Sequence, residues 1–418
     1  MADVDAYLPL AAEFPPVSVD DWLTLVGNIT RLRTATYDGI TIEPLYTAAD
    51  EVPAAGLPGQ FPFVRGRTAR GARQGWDVRQ LVDVRWGQRA AIAELERGAT
   101  SVWLRWRADD PVDPASLAGV LDDVLFDVAP VVLDGGHRWV DAARAMRPLW
   151  ERAAVDPALL AGSLGADPFG DWAVRRDDDR LAADLTALVA EAGPLVAEYP
   201  NLRIATIDAT RFHDAGASDA EELGIGLAGV VATWRTLTEG GLDVAAAMAR
   251  LELRLATTVD QFASIAKFRA ARQVLARVAE VAGHPTAGSL VPLHAVTSRA
   301  MTTRYDAAVN IVRSTVACFA AAVGGADAIT VLPHDTFVAA PPSERARRLA
   351  RNTQAVLALE SNVTSVIDAA GGSWYVERLT EHLAERAWDV FQKIESADGF
   401  RRAVESGLVD GLVAATRA

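Results

Sequence analysis

From residue 101 to residue 368, short apolar runs alternate with longer stretches of helical periodicity, and nothing else in the chain constrains its fold as strongly. The runs are Ser101–Trp106, Pro130–Asp134, Leu160–Leu164, Arg203–Asp208, Leu253–Thr258, Val291–Thr297, Ala328–Leu332 and Thr364–Asp368. Helical patterns fill the gaps, as over Ser218–Thr238, Val259–Val281 and Tyr305–Val323. Eight strands each followed by a helix predict a closed α/β barrel, a (β/α)8 or TIM-type architecture, with an open doubly wound sheet as the alternative. A barrel of this kind places functional groups at the C-terminal ends of its strands.

The 418 residues exceed a usual single domain but suit one barrel with extensions. The expected division is an N-terminal arm over 1–75, a barrel over 76–380 and a helical linker over 381–418. The arm is punctuated by Pro9, Pro15 and Pro16, with Ser18 as the N-cap of a short amphipathic stretch and a Gly-, Pro- and Arg-rich segment over 52–75. Such a segment buries little of its own backbone, so it is expected to lie across a second chain, with Phe14, Trp22, Leu23, Leu45 and Tyr46 as anchors.

Net charge and cysteine count exclude several functions. At a formal charge of −14 with no long basic run, non-specific nucleic-acid binding is disfavoured. Cys318 is the only cysteine and lies in an apolar run, so it reads as a buried small side chain. No stretch reaches membrane-spanning length, and the acidic N-terminus lacks a signal pattern, so a cytoplasmic location without membrane contact is expected. None of the histidines (137, 213, 284, 294, 334, 382) has metal-type spacing, and no metal site is expected. Gly224-Ile-Gly226-Leu-Ala-Gly229 matches a dinucleotide fingerprint, but a helix start precedes it; its glycines are read as packing positions inside a helix.

The strongest local charge signal is Arg65, Arg67, Arg70, Arg73 and Arg79, with only Asp77 opposing them nearby. Forked guanidinium groups suit the phosphates of a ligand such as coenzyme A, or equally an interface or an ion-pair loop.

Several long segments resemble the methylmalonyl-CoA mutase family. They are Tyr37–Tyr46, Pro58–Gly66, Trp76–Gln80, Ile265–Arg272, Arg351–Gln354 and Val366–Tyr375, in the family's order over nearly the whole chain. The resemblance implies a barrel split around the pantetheine chain of acyl-CoA, beside a cobalamin-carrying domain. It also implies that active-site positions are altered here. A tyrosine becomes Leu81; a Gln-Asn-Asp run becomes Gly165-Ala166-Asp167; a Tyr-His pair becomes Thr210-Arg211; and His-Ser-Gln-Thr-Ser becomes His294-Ala-Val-Thr-Ser298. Arg175 keeps the arginine that holds the migrating carboxylate. Arg70, Arg73, Arg79, Arg175, Arg211 and His294 remain as candidate substrate contacts.

These changes make the chain similar to the family's non-catalytic small subunit. That likeness implies a heterodimer with a catalytic large subunit, which would bind adenosylcobalamin and isomerise methylmalonyl-CoA and succinyl-CoA. The chain itself is expected to bind no cofactor, to be inactive alone and to lack the cobalamin-type domain, with acyl-CoA as a candidate ligand. Asp134-Gly-Gly-His137 does not have the spacing of a cobalamin motif. The alternatives are a free-standing barrel enzyme using Arg211, Arg175, Asp208 and His294 on an acyl-CoA without cobalamin, and an acyl-CoA sensor or scaffold.

Overall fold

A computed structural model of the protein describes residues 13–15, 17–52, 55–69, 75–106, 110 and 112–417. Eight parallel strands close into a barrel: β1 (Asp77–Asp83), β2 (Ser101–Arg105), β3 (Val131–Asp134), β4 (Gly162–Ala166), β5 (Leu202–Asp208), β6 (Leu251–Thr257), β7 (Leu293–Thr297) and β8 (Ala328–Thr330). Closure comes from β8 against β1, with Ala328 opposite Asp77 and Ile329 opposite Val78. The fold expectation holds.

Seven of the expected strands are present, but the eighth is not the one read from the sequence. The barrel begins at β1, whose residues Asp77, Arg79 and Asp83 disguise it as a polar segment. Arg79 reaches across to Glu252 of β6, so the polar side of β1 faces the barrel interior. Thr364–Asp368 forms no strand. A 3-10 turn at Val363–Ser365 leads to Asp368, whose buried carboxylate is bound by Arg65 and Arg269.

Outside the strands, aliphatic residues such as Val82, Leu104, Leu133, Ile207 and Leu253 join the helices in one large core. The helix Asp219–Glu239 starts from a Ser18-like capping box at Ser218 and Glu221. It carries the glycine fingerprint inside it, as expected. A Cβ on Gly224 would lie 2.6 Å from the Ala387 carbonyl oxygen, so glycine there lets the helix Trp374–Ser396 approach closely. Two further helices, Gly399–Glu405 and Leu408–Arg417, follow; Phe400 packs edge-on against Phe169 and Phe212. Cys318 is fully buried, which pushes its thiol well above the usual range. No described helix is long and apolar enough to cross a membrane.

The arm does not stand wholly apart from its own barrel, and that expectation is corrected. Ile40, Phe63 and Val64 are buried, Arg65 pairs with Asp368 at 2.9 Å, and Arg67 pairs with Asp327 at 2.6 Å. The Tyr46 ring packs 5.0 Å from that of Tyr375. These contacts tie the arm to the barrel at Ile40, Tyr46 and residues 63–67. The preceding segment differs. The helix Val19–Val26, closed by the Ser18–Asp21 capping box, buries none of its residues, and Phe14, Val17 and Leu25 are exposed.

Candidate functional site

Inside the barrel the alternate residues of each strand stack in layers. At the N-terminal end Arg79 is locked by Glu252 at 2.8 Å and Asp77 at 3.0 Å. Burial raises the Glu252 carboxyl, but Arg79, His294 and Arg203 together outweigh it and hold the group below the usual carboxylate range. In the middle layer Arg254 donates from Nε to His294 Nδ1 at 3.1 Å and from a terminal nitrogen to Asp208 at 2.9 Å. With Nδ1 accepting, His294 donates from Nε2 to Thr330 at 2.8 Å, and Thr330 donates to the Arg79 carbonyl at 2.9 Å. Glu252, 3.6 Å from Nδ1, is outside bonding reach. Burial first, and the charge of Arg79 second, lower the histidine to about 4, so it is neutral at pH 7.

Trp103 caps this network. The Arg254 guanidinium lies 3.9 Å from its ring centroid, His294 meets it edge-on at 5.5 Å, and its Nε1 donates to Asp134 at 2.9 Å. Trp103, Leu81, Val132, Val296 and Leu332 form an apolar cluster of their own. The axis of the barrel is therefore filled from Arg79 up to Trp103.

Above Trp103 a cleft of about 200 Å³ remains at the C-terminal ends of the strands, lined among others by Arg105, Asp208, Thr210, Arg211, Ser298 and Arg299. Arg211 donates to Asp167 at 2.8 Å and Asp171 at 3.2 Å, and Thr210 donates to Asp208 at 2.5 Å. Burial, with the charges of Asp171 and Asp208, pushes the Asp167 carboxyl up to about 6 despite Arg211. A ligand pocket for a drug-sized molecule is typically at least about 300 Å³.

The predicted site residues thus separate into groups. Thr210 and Arg211 line the cleft; Leu81 and His294 are sealed beneath it. Arg79 is at the opposite end and fully engaged, so it is not a free phosphate ligand. Arg175 is exposed at the end of its helix Pro168–Arg175 and does not line the cleft. Arg70 and Arg73 lie outside the described residues. Gly165 is more than a lost donor: at φ +70° its Cβ would fall 1.8 Å from the Leu133 carbonyl oxygen. Arg65, Arg67 and Arg79 all meet carboxylates distant in sequence, so the ion-pair reading of this cluster prevails for them.

Sequence reading missed Trp103, Glu252 and Arg254. A signal existed: Glu252 and Arg254 occupy alternate positions of an otherwise apolar strand, the spacing of one strand face. Among the described residues His213, Asp219 and Glu222 come close enough to hold a metal ion, but the Lys267 ammonium already lies 2.6 Å from Asp219 and 2.7 Å from Glu222.

The fold and site define a (β/α)8 barrel protein whose axis is closed by its own side chains. The chain belongs to the methylmalonyl-CoA mutase family, whose profile matches residues 115–418. It is 48% identical to a methylmalonyl-CoA mutase small subunit of Streptomyces virginiae, over 99% of this chain and 69% of that protein. A small subunit from Propionibacterium freudenreichii subsp. shermanii is 37% identical, over 96% of this chain and 66% of that protein. A methylmalonyl-CoA mutase of Rhizobium meliloti is 30% identical, over 96% of this chain and 61% of that protein. The chain spans 60% of the length of another relative, a probable methylmalonyl-CoA mutase small subunit of Mycobacterium bovis.

Proposed function

We propose that the chain is the non-catalytic small subunit of a heterodimeric methylmalonyl-CoA mutase, supporting a catalytic chain that carries adenosylcobalamin and isomerises methylmalonyl-CoA and succinyl-CoA. One observation carries the reading: the filled axis. A pantetheine chain threaded through the barrel would have to displace Trp103 and the Arg254–Asp208 and Arg79–Glu252 pairs together. Separating a buried ion pair is costly, about 3–5 kcal/mol when one partner is lost, and a threaded ligand would have to offset that cost. On this reading the filled axis disfavours an acyl-CoA threaded through this chain, and adenosylcobalamin belongs to the partner.

The exposed segment 13–33 supplies the surface for association. Phe14, Val17 and Leu25 are large apolar groups left in water, whereas Ile40, Phe63 and Val64 are buried and Arg65 and Arg67 are paired to the barrel. The test is co-purification of the chain with a catalytic subunit of the family. A stable 1:1 complex is expected, lost when residues 1–33 are deleted while the barrel stays folded. Calorimetric titration of the isolated chain with an acyl-CoA is expected to give no saturable heat. Tight acyl-CoA binding, or turnover by the isolated chain, would instead favour the free-standing enzyme.

A further inference from the structure

The cleft at the C-terminal ends of the strands contains a pair of side chains that the subunit role leaves without a task. Ser298, the residue after β7, lines the cleft. Its Oγ lies 2.7 Å from Nε2 of His213, which sits on the short helix Thr210–Ala215 after β5. The serine is pinned on both sides. Its amide donates to the Thr257 carbonyl at 2.8 Å, and its Oγ accepts from the Met301 amide at 3.2 Å. The hydroxyl proton is left for the histidine.

The other ring nitrogen sets the direction of that bond. His213 Nδ1 is buried and has no hydrogen-bond partner, and Glu222 Oε2 lies 3.9 Å away. Glu222 is fully buried on the helix Asp219–Glu239, held by Lys267 at 2.7 Å and by the Ala256 amide at 2.6 Å. A proton on Nδ1 is attracted toward that carboxylate, whereas a lone pair there would be repelled. The proton therefore sits on Nδ1, and the bare Nε2 accepts from Ser298. Burial first, and the charge of Lys267 second, lower the histidine to about 4, so it is neutral at pH 7 and able to accept. The cleft also carries apolar groups, Ala256, Val296 and Leu332, and the guanidinium of Arg299, which approaches Asp214 only to 3.8 Å. A positive charge beside a nucleophile favours the negative oxygen that develops during acyl transfer.

We infer that Ser298 and His213 form a nucleophile and base that hydrolyse esters of a short acyl group. Ser298 Oγ attacks the acyl carbonyl carbon while His213 Nε2 takes the hydroxyl proton. The ester C–O bond breaks, and the proton passes from His213 to the departing alkoxide oxygen. Water then adds to the acyl-serine and gives its proton to His213, which returns it to Ser298 Oγ as the carboxylic acid leaves. At about 200 Å³ the cleft takes an acetyl-sized group but not coenzyme A, so this activity is separate from any turnover of acyl-CoA and from the subunit role. A histidine lowered this far is a weak base, so the reaction is slow and an activated aryl ester is the suitable probe.

The experiment follows hydrolysis of p-nitrophenyl acetate by the full chain, with peptide mass spectrometry of the acid-quenched protein. Turnover above the buffer rate, with the acetyl group on Ser298, is expected. Ser298→Ala should return the rate to that of buffer. His213→Gln, which keeps a polar group beside Ser298, should lower it at least about 100-fold. Arg299→Met should lower kcat more than it raises KM, because its charge acts on the transition state. Circular dichroism checks that each variant is folded. If Ser298→Ala does not fold, labelling of the natural chain with a fluorophosphonate, which marks an activated serine, reads the same point: the label is expected on Ser298. No turnover above buffer, acetyl or phosphonyl groups only on other residues, or an undiminished rate in folded Ser298→Ala or His213→Gln would each overturn the assignment.

Discussion

Truncating Trp103 to alanine removes the lid of the barrel axis. Loss of a buried aromatic side chain costs about 3–5 kcal/mol. Uncovering the Arg254 guanidinium, 3.9 Å from the ring centroid, forfeits roughly another 0.5–2 kcal/mol. Against this, the new cavity has polar walls in Arg254, His294 and Asp134, so water can enter and restore part of the loss. The net expectation is a destabilisation of about 4 kcal/mol, within the 5–15 kcal/mol typical of a folded domain, so the variant remains folded and measurable. Equilibrium urea unfolding followed by circular dichroism reads the effect. A double-mutant cycle with Arg254→Met isolates the ring–guanidinium term, expected at about 1–2 kcal/mol. A cost below about 1 kcal/mol for Trp103→Ala, or a coupling indistinguishable from zero, would mean the axis is not closed in the way described.

Other variants probe different links. Gly165→Ala places a side chain at φ +70° against the Leu133 carbonyl and should cost more than about 4 kcal/mol, seen as loss of soluble protein. Asp368→Asn weakens the pairs to both Arg65 and the fully buried Arg269; a loss of about 3–5 kcal/mol and faster proteolysis within residues 55–69 are expected, with Arg65→Ala milder. The Asp167 carboxyl titrates near 6 when folded, above its unfolded value near 3.9, so its contribution is fully present below pH 4 and lost as pH rises through 6. Asp167→Asn cannot ionise. Its stability relative to the natural chain should therefore improve by roughly 1–3 kcal/mol between pH 4 and pH 7.5, and unfolding curves at the two pH values check this.

The barrel was legible because seven strands follow the apolar pattern that outward packing imposes. The first strand was not. Asp77, Arg79 and Asp83 read as solvent-facing until the closure of β8 on β1 shows that Arg79 points inward, toward Glu252. The arginine cluster left two readings open for a related reason. Its carboxylate partners Asp327 and Asp368 lie 260 and 303 residues further along, beyond any local reading of charge. At positions 81, 165, 210 and 211, which the resemblance marks as altered, the structural consequence was not visible in the sequence. Leu81 belongs to the apolar layer under the cleft, Gly165 answers a backbone clash, and Arg211 is held by two aspartates. The closure itself depends on Trp103 and Arg254, which meet only when β2 and β6 face each other across the barrel.

The pairing of Arg65 with Asp368 also sets a timetable for synthesis. The arm leaves the ribosome before the barrel, and the carboxylate partner of Arg65 is made 303 residues later. At about 5–20 residues per second, the nascent chain carries an unlatched arm for roughly 15–60 s. During that interval Ile40, Phe63 and Val64, buried in the finished protein, have no barrel to cover them. Chaperone occupancy on translating ribosomes should therefore begin near these residues and fall only once Asp368 has emerged.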